Sequence, residues 1–418
     1  MLLAFLVLAT SGILAANAQC QTSLSWKNAP SMKDSGLTSF VIASMTKPRG
    51  IRFVNDTLLV IDVGVGLVSL RENVDNCNGW TKTVLVQNAD LNHGLVVNGT
   101  QIYASSVDTV FRYEWNPSTR TVSGNEQIVT GMDLAANHKT RTLDISGTYL
   151  LVSSGASENL ETEATSPSHG TAQIRRFAIN STVPSGGYTW FQGELVAVGM
   201  RNAVGIAVAG NNLWTVENSA DELNYTSGSQ LVDIHEDNPA EELNVVDLSD
   251  IGHSYGYPEC FTAWDMKEVI PDSSLNTGDQ FSIVPNVTDA QCGNTTFNKA
   301  PRLSMQAHSA PLDIVFYKAP SNVTAVTVKP EYNSHAFVSF HGSWNRDPPT
   351  GYGIVRIPWS GNEPTAQPNA KDGYSFVLQG DLTRCPDGCF RPVGLAFDST
   401  GRLFGSSDST GEVSFASR

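Results

Sequence analysis

Arginine and histidine recur at matching places along this chain. Arg49, His93, His138 with Arg141, Arg201 with Asn202, His308 and Arg391 each stand just before a short apolar segment. Asp62, Ser105, Ser154, Glu217 to Asp221, His341 to Arg346 and Asp408 each follow the next such segment. A guanidinium grips carboxylates bidentately, so a ring of arginines suits a ligand carrying several of them. Histidine supplies a base near neutral pH. Taken singly, an arginine before a strand is usually a solvated loop residue, and a histidine there is usually a hydrogen-bonded structural one. The phasing of the whole set is what points to a site. Trp344 either caps that site or stacks on a planar ligand.

The segments that must position these residues share one pattern. A φ-x-φ strand follows a polar or basic residue, a Gly/Asn/Asp turn comes next, and a second apolar strand follows. The first strands start at Gly50, Gly94, Thr142, Gly205, Asp313 and Gly394. The second strands are residues 58–61, 101–104, 149–153, 213–216, 336–340 and 403–406. Third strands are expected at 109–113, 173–177, 353–357 and 411–415. Period-two alternation favours strands over helices, and six such units predict an all-β, six-bladed β-propeller. An open sandwich is the alternative. Residues 159–163 read as a turn of helix, and 233–250 as irregular. In a propeller, residues before the inner strands and after the second strands converge at one end of the central channel. Long insertions interrupt the fourth and fifth units.

The chain has 418 residues and a net charge of −15, which excludes nucleic acid and an anionic membrane surface as partners. The apolar run from Leu2 to Ala15 ends in Ala16-Asn17-Ala18, a small-x-small cleavage site. The expected organisation is a signal peptide at 1–18 and one propeller domain at 19–418, secreted to the extracellular space. Sequons at Asn55, Asn98, Asn180, Asn224, Asn286, Asn294 and Asn322 agree with that. All six cysteines follow the predicted cut. Local spacing favours Cys260–Cys292 and Cys385–Cys389, leaving Cys20 for Cys77.

Several motifs then carry a family resemblance. They are His138-Lys-Thr-Arg141-Thr-Leu, Gly199-Met-Arg201-Asn202, Val216-Glu217-Asn218 with Asp221-Glu222-Leu223, Tyr255-Gly256-Tyr257-Pro258, His308-Ser309-Ala310-Pro311-Leu312, His341-Gly342-Ser343-Trp344-Asn345-Arg346, and Arg391-Pro392-Val393 with Ser407-Asp408. The chain resembles the fungal secreted pyrroloquinoline-quinone-dependent sugar dehydrogenases of auxiliary-activity family twelve, relatives of bacterial soluble aldose and sorbosone dehydrogenases. The resemblance implies pyrroloquinoline quinone at the top of the channel with Ca2+ beside it. It implies His138 as the base that takes the anomeric hydroxyl proton while hydride leaves C1, giving a lactone. It implies Arg201 at the quinone oxygens, with Asn202 beside it. Arg49 and Arg391 become candidates for the cofactor carboxylates, with Arg346 a further one. Trp344 would stack or form the substrate wall. Ser219 and Ala220 by carbonyl, and Asp221, would hold the calcium.

Some members of that family carry a haem domain and a cellulose-binding module, for which this sequence leaves no room. The expectation is a monomeric dehydrogenase module that oxidises aldoses or 2-keto-aldoses and passes electrons to an external acceptor, a copper polysaccharide oxygenase or a diffusible quinone. Two other readings explain less. A calcium-dependent propeller lactonase or esterase would want an acidic and amide metal cage rather than arginines. A non-catalytic binding propeller accounts for the repeat but not for the phased His and Arg.

Overall fold

A computed structural model of the chain describes residues 24–73, 79–134, 137–180, 182–324 and 326–418. The predicted signal peptide and both members of the expected Cys20–Cys77 pair lie outside them. The strands form six antiparallel blades around one axis. From the axis outward, blade one is Pro48–Val54, Thr57–Asp62, Gly66–Glu72 and Trp80–Gln87. Blade two is Leu95–Asn98, Gln101–Ser105, Val110–Asn116 and Thr121–Thr130. Blade three is Leu143–Ser146, Tyr149–Ser154, Gln173–Ala178 and Glu194–Val198. Blade four is Ala203–Ala209, Asn212–Glu217, Glu241–Asp247 and Leu303–Met305. Blade five is Pro311–Phe316, Ala336–Phe340, Gly353–Ile357 and Ser375–Gln379.

Blade six closes the ring. Its inner three strands, Pro392–Phe397, Leu403–Ser407 and Glu412–Ser417, end the chain, and its outer strand is Thr38–Ser44 from near the start. Phe40 lies opposite Phe415 in that pairing. Joining the two ends of the chain in one sheet removes the open seam that a ring of separate blades would leave.

The inner strands pack closely because several carry a glycine near their start. A Cβ at Gly50 would stand 2.0 Å from the His93 carbonyl oxygen, and one at Gly94 2.1 Å from that of Arg141. Serines on the second strands add cross-blade bonds. Ser105 Oγ donates to the Arg141 carbonyl at 2.6 Å, and Ser339 Oγ to that of Val393 at 2.6 Å. The second strands are buried on both faces between blades, so Thr57–Asp62 reads as a run rather than an alternation. Lower in the channel, Arg52 of blade one pairs with Asp313 of blade five at 3.0 Å. Asp313 also accepts from Leu395 N, while Asp144 of blade three accepts from Val208 N. These groups pin inner strands of neighbouring and next-but-one blades to one another.

All six predicted inner and second strands are present, as are the four predicted third strands. Two local readings are corrected. The stretch read as irregular holds Glu241–Asp247, the third strand of blade four; its acidic residues at 241 and 242 are buried and mask the apolar pattern. The helical turn falls at Thr162–Thr165, later than 159–163. Both local disulfides, Cys260–Cys292 and Cys385–Cys389, are present. The insertions both belong to blade four, at 218–240 and 248–302. Among the described residues no helix is long and apolar enough to cross a membrane.

Candidate active site

The loops at one end of the channel enclose a cavity of about 330 Å³. His138, Arg201, Asn202, Ser219, Asp221, Trp344 and Arg391 all line it, with Asn218, Glu241, His308 and His341. Three predicted residues lie outside this lining. Arg49 forms an ion pair with Asp408 at 2.5 Å, and its Nε donates to His93 Nδ1. Arg346 turns to the insertion, where it donates to the Glu236 carbonyl and pairs with Asp237 at 2.7 Å. Ala220 is buried in the apolar cluster that also seats Ala156. A larger cavity of about 990 Å³ opens at the other end of the channel, lined by Arg52, Phe53, Val208, Phe316 and Phe397.

His138 sits on the loop leading into blade three. Its Nδ1 lies 2.6 Å from the Ala156 carbonyl. That oxygen only accepts, so Nδ1 carries the proton and Nε2 keeps its lone pair. Burial, reinforced by the nearby Arg201 charge, pushes the imidazole down to about 4. His138 is therefore a neutral base at neutral pH. Arg141, wholly buried, fixes the loop by donating to the carbonyls of His138, Thr140 and Met132. Gly155 makes room: a Cβ there would stand 2.6 Å from His138 Cβ and 2.7 Å from Asn202 Oδ1.

Arg201 is held on three sides. Its guanidinium donates to the Ser219 carbonyl at 2.6 Å, to the Asn159 carbonyl and side-chain oxygen at 3.1 and 2.9 Å, and to Asp221 at 3.1 Å. Its backbone N–H donates to Glu217 at 2.5 Å. Arg391 donates to the carbonyls of His341 and Gly342 and lies over the Tyr352 ring.

His308 sits in the opposite electrostatic setting to His138. Its Nε2 bonds the His235 carbonyl and its Nδ1 faces Asp221 at 3.5 Å, two acceptors. Burial opposes its charge, but the Asp221 carboxylate and that carbonyl outweigh burial, and its pKa is raised. Burial likewise opposes ionisation of Asp221, yet His308 and Arg201 hold it below the usual carboxylate range. Burial pushes Glu241 up to about 7. Among the described residues, no three His, Cys, Asp or Glu side chains gather as a metal cage.

Asn159 and Glu241 were not singled out from the sequence for their part here, whereas Asn218 was named within the Val216-Glu217-Asn218 motif. Asn159 is the hub of the Arg201 anchor, and its Nδ2 also donates to the Asp221 carbonyl at 2.7 Å. Tyr257 of the Tyr-Gly-Tyr-Pro motif holds that loop, donating to the carbonyls of Glu158 and Asn159. The motif was a usable signal; Asn159 itself, in an unpatterned loop, offered none.

Fold and cavity together define a six-bladed propeller with an axial pocket lined by fixed guanidinium groups, a neutral imidazole and an exposed indole. Residues 30–418 match the TrAA12-like family. A pyrroloquinoline quinone-dependent sugar dehydrogenase of Hypocrea jecorina is 37% identical over 92% of this chain and 88% of its own. The calcium structure of a Trichoderma reesei family AA12 enzyme superposes with a TM-score of 0.81 at 35% identity, over 96% of this chain and 99% of that one. The holo form of the pyranose dehydrogenase PQQ domain of Coprinopsis cinerea superposes with a TM-score of 0.84 at 31% identity, over 95% and 98%. The chain belongs to the TrAA12-like family.

Proposed function

We propose that this chain is a secreted quinoprotein that oxidises the C1 hemiacetal or aldehyde of an aldose or 2-keto-aldose. The single observation that carries the reading is the unprotonated Nε2 of His138 in a cavity shared with the Arg201 and Arg391 guanidiniums. The residues fit pyrroloquinoline quinone, a planar acid with several carboxylates. Arg201 and Arg391 offer cationic N–H donors, Asn202 and Asn218 offer amides, and the buried Oδ1 of Asn345 has no protein partner. We assign Arg201, Asn202, Trp344 and Arg391 to hold it, with Arg49 supporting the pocket from behind through Asp408 and His341. The Ser219 carbonyl and the Asp221 carboxylate, which line the cavity, would hold a calcium ion together with the Ala220 carbonyl of the same turn, an all-oxygen donor set suited to a hard cation.

When bound, the quinone supplies a two-electron acceptor for the hydride leaving C1. His138 Nε2 takes the proton of the C1 hydroxyl, and its Nδ1–H stays on the Ala156 carbonyl throughout. The Arg201 guanidinium, fixed before the reaction begins, stabilises negative charge as it develops beside it. Trp344, 66% exposed at the cavity rim, offers the sugar an apolar wall. A cyclic hemiacetal leaves as a lactone.

Secretion is supported by the leader sequence, the sequons and the disulfides. We infer a monomer whose electrons pass to an outside acceptor, a copper polysaccharide oxygenase or a diffusible quinone. Recombinant protein with pyrroloquinoline quinone and Ca2+ is expected to reduce a dye on addition of an aldose. Equal dye reduction with and without the quinone, for every aldose tried, would refute the reading. Reoxidation by candidate acceptors no faster than in buffer would refute the acceptor assignment.

A further inference from the structure

The turn His308-Ser309-Ala310 carries two non-glycine residues in the left-handed region, His308 at φ 63° and Ala310 at φ 52°. L-residues avoid that region because Cβ crowds the following carbonyl. Such a backbone persists where its surroundings over-determine it. Beside it in the cavity lining lies the Ser219–Asp221 turn, which leaves strand Asn212–Glu217 without regular structure of its own.

One carboxylate bonds both turns. Glu241 Oε2 accepts from Ser219 N at 2.7 Å, and Oε1 accepts from Ala310 N at 3.1 Å. Glu241 is 4% exposed, and its backbone is fixed opposite Met305 in blade four. The two turns carry groups that must register. Asp221 on one faces His308 on the other, and the Ser219 carbonyl and Asp221 carboxylate both hold Arg201. We propose that Glu241 is a positioning residue that locks the Ser219–Asp221 turn to the His308–Ala310 turn, and so sets Arg201, Asp221 and His308 in register for the quinone. This rests on the quinone-site reading given above.

The geometry makes a specific demand. A carboxylate has an acceptor oxygen for each N–H, whereas an amide has one acceptor and one donor. Glu241→Gln therefore keeps the volume of the side chain and loses one of the two bonds. Glu242→Gln is the control. Glu242 is the next residue of the same strand, is 6% exposed, and bonds Thr262 and Asn244 rather than either turn.

The test measures amide hydrogen exchange in the protein without quinone, then titrates pyrroloquinoline quinone with Ca2+ by tryptophan fluorescence. In Glu241→Gln, the amide of Ser219 or of Ala310 is expected to exchange about tenfold faster, as loss of one buried hydrogen bond implies. Quinone affinity is expected to fall by about the same factor, with kcat reduced and the sugar KM little changed. Glu242→Gln should alter none of these. Unchanged exchange at both amides in Glu241→Gln would overturn the proposal. So would faster exchange with unaltered quinone affinity and kcat. Failure of Glu241→Gln to fold while Glu242→Gln folds would also overturn it, by making Glu241 a folding residue. If the unsubstituted protein binds no quinone, the functional reading fails, while the exchange data still decide whether the clamp exists.

Discussion

The Nδ1 atom of His138 lies 2.6 Å from the carbonyl oxygen of Ala156, and that one bond decides what the imidazole can do. It selects the tautomer that leaves Nε2 free on the cavity side. Ala156 belongs to an apolar cluster with Ala172, Ala220 and Tyr257, so the carbonyl is held by packing. His138→Ala is expected to lower kcat by about 10²–10⁴, the usual contribution of a positioned base. Quinone affinity should stay near that of the unsubstituted protein. Turnover within a few-fold of the original would remove His138 from the base role.

The same residue sets a pH limit. A base must be neutral, and His138 is neutral above its pKa, which burial and Arg201 lower to about 4. Activity should therefore persist as pH falls below the ordinary histidine range and decline only near pH 4. The check is kcat/KM across pH 3 to 8, with quinone retention followed in parallel. An acid limb centred near 6.5 that persists in Glu241→Gln, which removes the carboxyl that burial raises to about 7, would show that His138 is not shielded as its surroundings imply.

Gly155 is a second handle on His138. Alanine there places a methyl 2.6 Å from His138 Cβ and 2.7 Å from Asn202 Oδ1, closer than van der Waals contact allows. One or both side chains must shift. Overpacking of this kind costs about 1–3 kcal/mol of stability. Gly155→Ala is thus expected to fold with a lowered melting temperature and to lose at least about tenfold in kcat, since small misplacement of reacting groups is expensive. A variant with the lowered melting temperature but full kcat would mean that the loop yields without moving His138.

Much of this was legible in the sequence, for identifiable reasons. A glycine or polar residue followed by φ-x-φ marks where an inner strand leaves the top of the channel, and this placed His138, Arg201 and Arg391 together. Arg346 stood as a further candidate beside Arg49 and Arg391 because spacing gives no side-chain direction. The direction of Arg346 is set by Glu236 and Asp237, in an insertion whose path no periodicity predicts. Asn159 lies in an irregular loop, and Glu241 in a strand disguised by consecutive buried acids. Neither role follows from local pattern, since both depend on contacts between distant segments.

The two arginines separate in a direct comparison. Arg391 lines the cavity, whereas the Arg346 guanidinium is taken up by Glu236, Asp237 and Pro348. Arg391→Ala should weaken pyrroloquinoline quinone binding by about tenfold to a hundredfold, the range for a lost charge-assisted bond. Arg346→Ala should leave that affinity unchanged. Titration of both variants checks this, and the reverse ranking would mean that the 341–346 loop rearranges around the ligand.

Asp408 tests the support behind the cavity. It accepts from Arg49 at 2.5 Å and from His341 at 2.8 Å, with 7% of its side chain exposed. Burial alone would raise its pKa, but the His341 and Arg49 interactions outweigh burial and hold the carboxyl well below its usual range. A depressed carboxylate stabilises the fold fully above its unfolded value of about 3.9, and that contribution is lost as pH falls towards the folded value. Asp408→Asn leaves Arg49 buried without its counter-charge and is expected to cost about 3–5 kcal/mol at pH 6. Below about pH 4 the gap should narrow, because the native carboxylate no longer has its full advantage over the unfolded one. Urea unfolding of both proteins at pH 6 and pH 3 measures the gap. A difference that stays constant between the two would show that Asp408 acts through packing rather than through charge.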